Sequence, residues 1–203
     1  MNFDGNFRKL GQCNVSTFAA KVAEISDRVW EAESFRTEVY EVHEDTQTLN
    51  LLMDDDYRHR NPTRHPAYDE FEPEVVAIMG QINRYLRGSL KMRRLVAKHG
   101  PGYFICVLLV RLLPDSAIPG HYDTYESLAS CHRIHVPLIT NDEVIFGVGG
   151  SSQHMSAGEI WEINNRHKHS VTNRSEEARV HLILDYIQTG ESVIDVDGEE
   201  LFC

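Results

Sequence analysis

His121 and Asp123, one position apart around Tyr122, and His169 far along the chain are the residues whose types and spacing could do chemistry. Two imidazoles and one carboxylate can occupy one face of an octahedral metal and leave the other face open, the ligand set of non-haem Fe(II) oxygenases. Co-substrate and dioxygen both need that open face. Arg179 follows, and its planar guanidinium can grip a carboxylate through two parallel hydrogen bonds. The four residues together point to an oxygenase that uses 2-oxoglutarate. In His167-Lys168-His169 the two histidines would share a strand face by period-two alternation, so spacing leaves open which of them is the ligand.

These residues need a rigid frame. Val107 to Leu113 is apolar and β-branched enough for a buried strand, and Pro114 to Gly120 reads as a loop, which puts His121 just past a strand–loop junction. Further strands are predicted near 103–113, 131–138, 143–148, 159–163, 168–172 and 179–187, with two more at Phe35–Val42 and Thr46–Met53. Gly147, Gly149 and Gly150 with Ser151 and Ser152 suit a hairpin turn. Ahead of the barrel, Phe18, Val22, Ile25 and Val29 recur at helical spacing behind Ser16 or Thr17 as cap, and Phe71 to Leu86 forms a second amphipathic helix. Asp54 to Tyr68 is a polar loop, either a lid or a solvated connection. This cadence suits a jelly roll with its early helices packed outside.

Two strand faces carry an unusual cargo. Arg133 and His135 alternate onto one face, as do Arg179 and His181. Buried charge is costly unless paired, so two such pairs facing a barrel interior call for an anionic ligand. An acidic neighbour such as Asp185 is the alternative partner for Arg179. Arg84 to Lys98 reads as a solvated basic helical face, His132 and His154 as surface residues, and Cys131 as a small buried hydrophobe.

From Val110 to Tyr186 the chain resembles the aspartyl/asparaginyl β-hydroxylase family of Fe(II)- and 2-oxoglutarate-dependent dioxygenases. The matching pieces are Leu113-Pro114 leading to His121-Tyr122-Asp123, the Arg133–Leu138 stretch, Gly158–Asn165, His169-Ser170-Val171 and Arg179–Asp185. It is also similar to the bacterial free-proline hydroxylases, which keep the carboxylate that Asp123 would supply. The resemblance implies a mainly β, double-stranded β-helix barrel of the cupin-like kind. It implies His121, Asp123 and His169 as iron ligands and Arg179 on the far carboxylate of 2-oxoglutarate. His135 is placed beside the co-substrate and Arg133 toward the substrate. The expected activity is hydroxylation of an amino-acid, peptide or related small-molecule substrate, with release of succinate and CO2. The rival readings are a cupin-like metalloenzyme that does not use 2-oxoglutarate and a non-catalytic ligand-binding barrel.

Composition fits one domain over 1–203, with a helical and sheet-extending front (1–100), a barrel core (101–190) and a C-terminal tail (191–203). A hydrophobic fraction of 41% supports a sizeable core. Twenty basic against 31 acidic residues leave a net charge of −11, which argues against nucleic-acid binding. No apolar run approaches the ~18 residues of a membrane span, and Met1 to Leu10 lacks the apolar core of a signal peptide. Cys13, Cys106, Cys131 and Cys203 are scattered with no CxxC, as reduced cytoplasmic thiols are.

Overall fold

The apolar run around Val107 becomes β4 (Tyr103–Leu112), an interior strand of the main sheet in a computed structural model that describes residues 3, 5–32, 44–54, 61–123, 126–194 and 200–202. After it the chain lays down β5 (Ser116–His121), β6 (His132–Ile139), β7 (Val144–Val148), β8 (Ser151–Gln153), β9 (Glu159–Ile163), β10 (His169–Asn173) and β11 (Arg179–Ile187). The main sheet takes β4, β6, β9 and β11, and the second, four-stranded sheet runs β5-β10-β7-β8. Strands thus alternate between two facing antiparallel sheets, the double-stranded β-helix expected above. Three earlier strands extend the main sheet to seven: β1 (Phe7–Gln12) beside β9 on one side, β2 (Thr46–Met53) and β3 (Thr63–Arg64) beyond β4 on the other. A separate hairpin pairs β12 (Ser192–Ile194) with β13 (Glu200–Phe202).

Parity along β11 decides where everything faces. Val180, Leu182, Leu184 and Tyr186 belong to the outer core, packed with Phe18, Phe71, Val75 and Ile82 of two helices, α1 (Ser16–Ala23) and α3 (Tyr68–Leu86). Phe18 stacks on Phe71 with ring centroids 5.4 Å apart. Burial of these large side chains, about 1.5–3 kcal/mol each, fixes the helices to the sheet's outside. The alternate residues Arg179, His181, Ile183 and Asp185 must then face the barrel interior. The basic run lies exposed on the end of α3 and on α4 (Leu90–His99), as expected of a solvated face. Among the described residues no helix is long and apolar enough to cross a membrane.

Several expectations are corrected. The single first helix is two: α1 ends at Ala23, where the Glu24 and Ile25 N–H groups donate back to the Lys21 and Val22 carbonyls, and α2 covers Asp27–Trp30. That break changes the helical phase, so Trp30 is 2% exposed and Val29 42%. Ser16 is not a cap, because its N–H and hydroxyl both donate to Asn14 Oδ1 (3.0 and 2.8 Å). The segment taken for a loop before His121 is strand β5. Pro119 and Gly120 stand there opposite Ser170 alone, a two-against-one bulge between the His121–His169 and Ile118–Val171 pairs. A bulge on an edge strand is where a proline, lacking an N–H, is tolerated. The glycine hairpin is as expected: Gly149 and Gly150 both have positive φ (53° and 84°) between β7 and β8. The strand expected at 35–42 and residues 55–60 of the polar loop lie outside the described residues.

Candidate metal centre

The β5–β10 register sets His121 directly opposite His169. Their ring centroids are 4.3 Å apart. In each ring Nδ1 lies against a backbone carbonyl, of Pro119 for His121 (2.9 Å) and of His167 for His169 (3.1 Å). A carbonyl only accepts, so Nδ1 carries the proton and Nε2 keeps its lone pair, the tautomer a metal needs. Asp123 follows the strand end, and the ligand atoms of His121, Asp123 and His169 all lie within 4.8 Å of one another. Two imidazoles and a carboxylate fit a divalent transition metal such as Fe(II) by donor chemistry. His167 turns away, its Nδ1 on Asn6 Oδ1 (2.7 Å), so that His169 is the one of the two that lies beside His121 and Asp123.

Burial pushes the His169 imidazole down to about 4, with His121 and Arg133 acting in the same direction. It is therefore neutral near pH 7, the form that ligates. Burial alone would raise the Asp123 carboxyl, but Arg133, then His169 and His121, hold it below the ordinary range. Arg133 Nη1 donates to Asp123 Oδ1 (3.0 Å) and lies 2.9 Å from Oδ2 as an ion pair, and Asn165 Nδ2 donates to Oδ2 at 3.3 Å. The rest of the Arg133 fork belongs to Asp185: Nε and Nη2 donate to Oδ1 and Oδ2, each at 2.9 Å. Arg133, expected toward substrate, thus spends its guanidinium on two carboxylates. The Cys131 thiol donates to Leu128 O (3.3 Å) and Asp185 Oδ1 (3.4 Å). Burial and then Asp185 push it well above the ordinary thiol value, so it stays protonated.

Deeper along the same face of β11 come His181 and Arg179. Arg179 is 1% exposed, and its Nη1 reaches the Val110 carbonyl at 3.5 Å. Asp185, its alternative partner, is taken by Arg133 instead. The His135 ring sits edge-on to Phe146 of the opposite sheet (4.9 Å) and 5.8 Å from His181. Burial, then Arg179 and His135, push His181 well below its ordinary value, and its ring nitrogens bond to no described residue. A buried arginine beside the neutral His181 imidazole has the donor chemistry that an anion requires. One strand face therefore runs from the buried guanidinium of Arg179 to Asp185 beside the candidate metal ligands.

On the other side of β6, His132 overturns its expected surface position. It is fully buried, with Nδ1 on Glu162 Oε1 (2.7 Å) and Nε2 on Glu191 Oε2 (2.9 Å). Burial would lower it, but Glu162 and Glu191 prevail and hold the ring at about 9. Arg8 pairs with Glu162 and Lys91 with Glu191, tying β1 and α4 to the same cluster. Nothing local in the sequence announces this, since both carboxylates arrive from distant strands and turns. Asn165 and Asp185, which brace the candidate ligands, were likewise not read as site residues.

Residues 32–189 match the family model described as aspartyl/asparaginyl β-hydroxylase. No curated protein matches the chain. Its fold is similar to a Pseudomonas putida prolyl-4-hydroxylase, at 14% identity over 92% of this chain and 95% of that one, with a TM-score of 0.57. It is similar, too, to an oxidoreductase of the 2OG-Fe(II) oxygenase family from Burkholderia pseudomallei (14% identity, 87% and 91% covered, TM-score 0.54). A viral collagen prolyl hydroxylase from Paramecium bursaria Chlorella virus-1 shares the fold at 10% identity, with 90% and 96% covered and a TM-score of 0.50. The family match takes in the facing histidines, the braced carboxylate and the buried arginine alike, and the chain belongs to the aspartyl/asparaginyl β-hydroxylase family of Fe(II)- and 2-oxoglutarate-dependent dioxygenases.

Proposed function

We propose that this chain hydroxylates an amino-acid, peptide or related small-molecule substrate. His121 and His169, through Nε2, and the Asp123 carboxylate would hold Fe(II). Arg179 would hold the far carboxylate of 2-oxoglutarate, with His135 beside the co-substrate. When bound, iron and 2-oxoglutarate supply the oxidation: one atom of dioxygen enters succinate as CO2 leaves, and the other becomes the product hydroxyl.

The protein's share is orientation and shelter. Carbonyl partners at Nδ1 hold both imidazoles in the ligating tautomer. Arg179, buried in the barrel interior, would fix the co-substrate from the end remote from the metal through a charge-assisted bidentate bond. Phe146, Ile118 and Val171 line the interior with apolar surface that excludes water. A net charge of −11 speaks against a nucleic-acid partner, and free thiols at Cys13, Cys106 and Cys131 fit a reducing cytoplasm.

The observation that carries this reading is the convergence of three donor atoms within 4.8 Å at one end of a barrel whose interior also buries Arg179. An anaerobic titration with Fe(II) and 2-oxoglutarate tests it, followed by oxygen and panels of free amino acids and short peptides. A weak visible charge-transfer band and iron-dependent succinate are expected. Metal binding with neither signal would overturn the co-substrate assignment.

A further inference from the structure

A guanidinium beside a metal-binding carboxylate is a hazard, because arginine and carboxylate make a strong bidentate pair of their own. Arg133 stands in that position toward Asp123. Its five N–H donors are divided unequally. The edge formed by Nε and Nη2 is closed by Asp185, each bond 2.9 Å, and only Nη1 is left to reach Asp123. Asp185 and Arg133 are paired in register across β11 and β6, so the sheet itself holds the arrangement. Both side chains are buried, and the Cys131 thiol satisfies a further lone pair of Asp185.

We propose that Asp185 is a positioning residue for the metal centre: by occupying the Nε–Nη2 edge of Arg133 it limits the guanidinium to contact through Nη1 alone and keeps Asp123 available to a metal dication. This rests on the reading of Asp123 as a metal ligand. The charge balance makes the same case. Asp123, Asp185 and Arg133 present one net negative charge to the metal; without Asp185 they present none. Released from Asp185, Arg133 would also be free to swing its open edge onto Asp123 and compete with the metal directly.

Cobalt(II) titrated into the folded, metal-free protein, read by its visible absorption, tests the proposal without reference to turnover. Asp185→Asn should weaken Co(II) binding roughly 10–100-fold, the usual cost of losing a partner behind a metal ligand. Adding Arg133→Gln to it should restore much of the loss, since the competitor and its charge leave together. A purely structural pair would show no such rescue. Unchanged affinity in Asp185→Asn, or a double variant no tighter than the single one, overturns the proposal. Asp123→Ala separates the two levels: if it binds Co(II) like wild type, the metal-ligand reading itself fails. If it loses affinity while Asp185→Asn does not, only the positioning role fails. Should Asp185→Asn not fold, the charge-neutral double variant decides alone. Affinity nearer to wild type supports the proposal, and affinity nearer to Asp123→Ala overturns it.

Discussion

His121 and His169 meet as a cross-strand pair at the end of the β5–β10 ladder, their rings 4.3 Å apart. Directly opposed residues in an antiparallel pair hold their side chains close without help from any loop. Two of the three candidate ligands are therefore placed by backbone register. The third, Asp123, lies past the strand end and depends on side-chain anchors, Arg133 and Asn165. The two kinds of placement respond differently to mutation.

Asp123→Ala should leave the fold nearly intact, because Arg133 keeps its bidentate partner Asp185. Metal affinity should fall by roughly 100-fold or more, beyond what loss of an outer partner costs, since two neutral imidazoles would remain to hold a dication. Metal content and succinate formation on the folded variant check this. Wild-type values for both would remove Asp123 from the site.

Arg179→Lys should weaken 2-oxoglutarate binding while leaving metal affinity alone. An ammonium cannot reproduce two parallel hydrogen bonds, and losing a charge-assisted bond to a desolvated carboxylate is worth about 1.5–3 kcal/mol, or roughly ten- to a hundredfold. Titrating 2-oxoglutarate into the iron-loaded variant reads the effect. Unchanged affinity with a lowered melting temperature would make Arg179 a scaffold residue.

His132 gives the fold a pH dependence. Its folded value, about 9, lies above the ordinary 6.5, so its stabilisation is fully present below about pH 6.5 and is lost as pH rises through 9. The difference amounts to on the order of 3 kcal/mol. Chemical denaturation at pH 6.5 and 9.5 should show wild type losing stability across this window while His132→Gln changes less. Parallel pH profiles for the two proteins would refute the assignment.

Gly158→Ala should destabilise the barrel by about 2–3 kcal/mol, lowering the melting temperature by roughly 4–12 °C. Gly158 has φ of +78°, and an added Cβ would lie 2.3 Å from the Cys13 carbonyl oxygen. The backbone there cannot simply move aside, because Cys13 N–H donates to Gly158 O (2.8 Å) and Gly158 N–H to Pro137 O (2.9 Å). A melting temperature within a degree of wild type would show that the turn yields.

Strands with apolar alternation or continuous apolar runs, β4, β6, β7, β9 and β11, were legible from sequence, as was α3 with its buried Phe71, Val75, Ile78 and Ile82. The reason is that burial alone sets their patterns. β1 was not legible: it carries Arg8 and Lys9, whose partners Glu162 and Glu159 come from β9 at the other end of the chain. β5 was hidden by Pro119 and Gly120, residues that signal a loop until a neighbouring strand absorbs them as a bulge. The same division runs through the site. His121, Asp123, His169 and Arg179 stand out by residue type and order. Asp185, Asn165 and His132 depend on which side chains tertiary pairing brings to them, and no local signal carries that information.

β5 forms the rim of its sheet, hydrogen-bonded to β10 alone among the described strands. A rim strand frays more readily than an interior one, and this one carries His121 at its tip. An ion shared by His121 and His169 would act as a clasp across the last rung of the ladder. By mass action it would suppress the opening of that rung in proportion to its own occupancy. Amide hydrogen exchange in 116–121 should then slow on metal loading while exchange in β4 and β11 stays the same. Escape of the ion would require only the unzipping of one short strand.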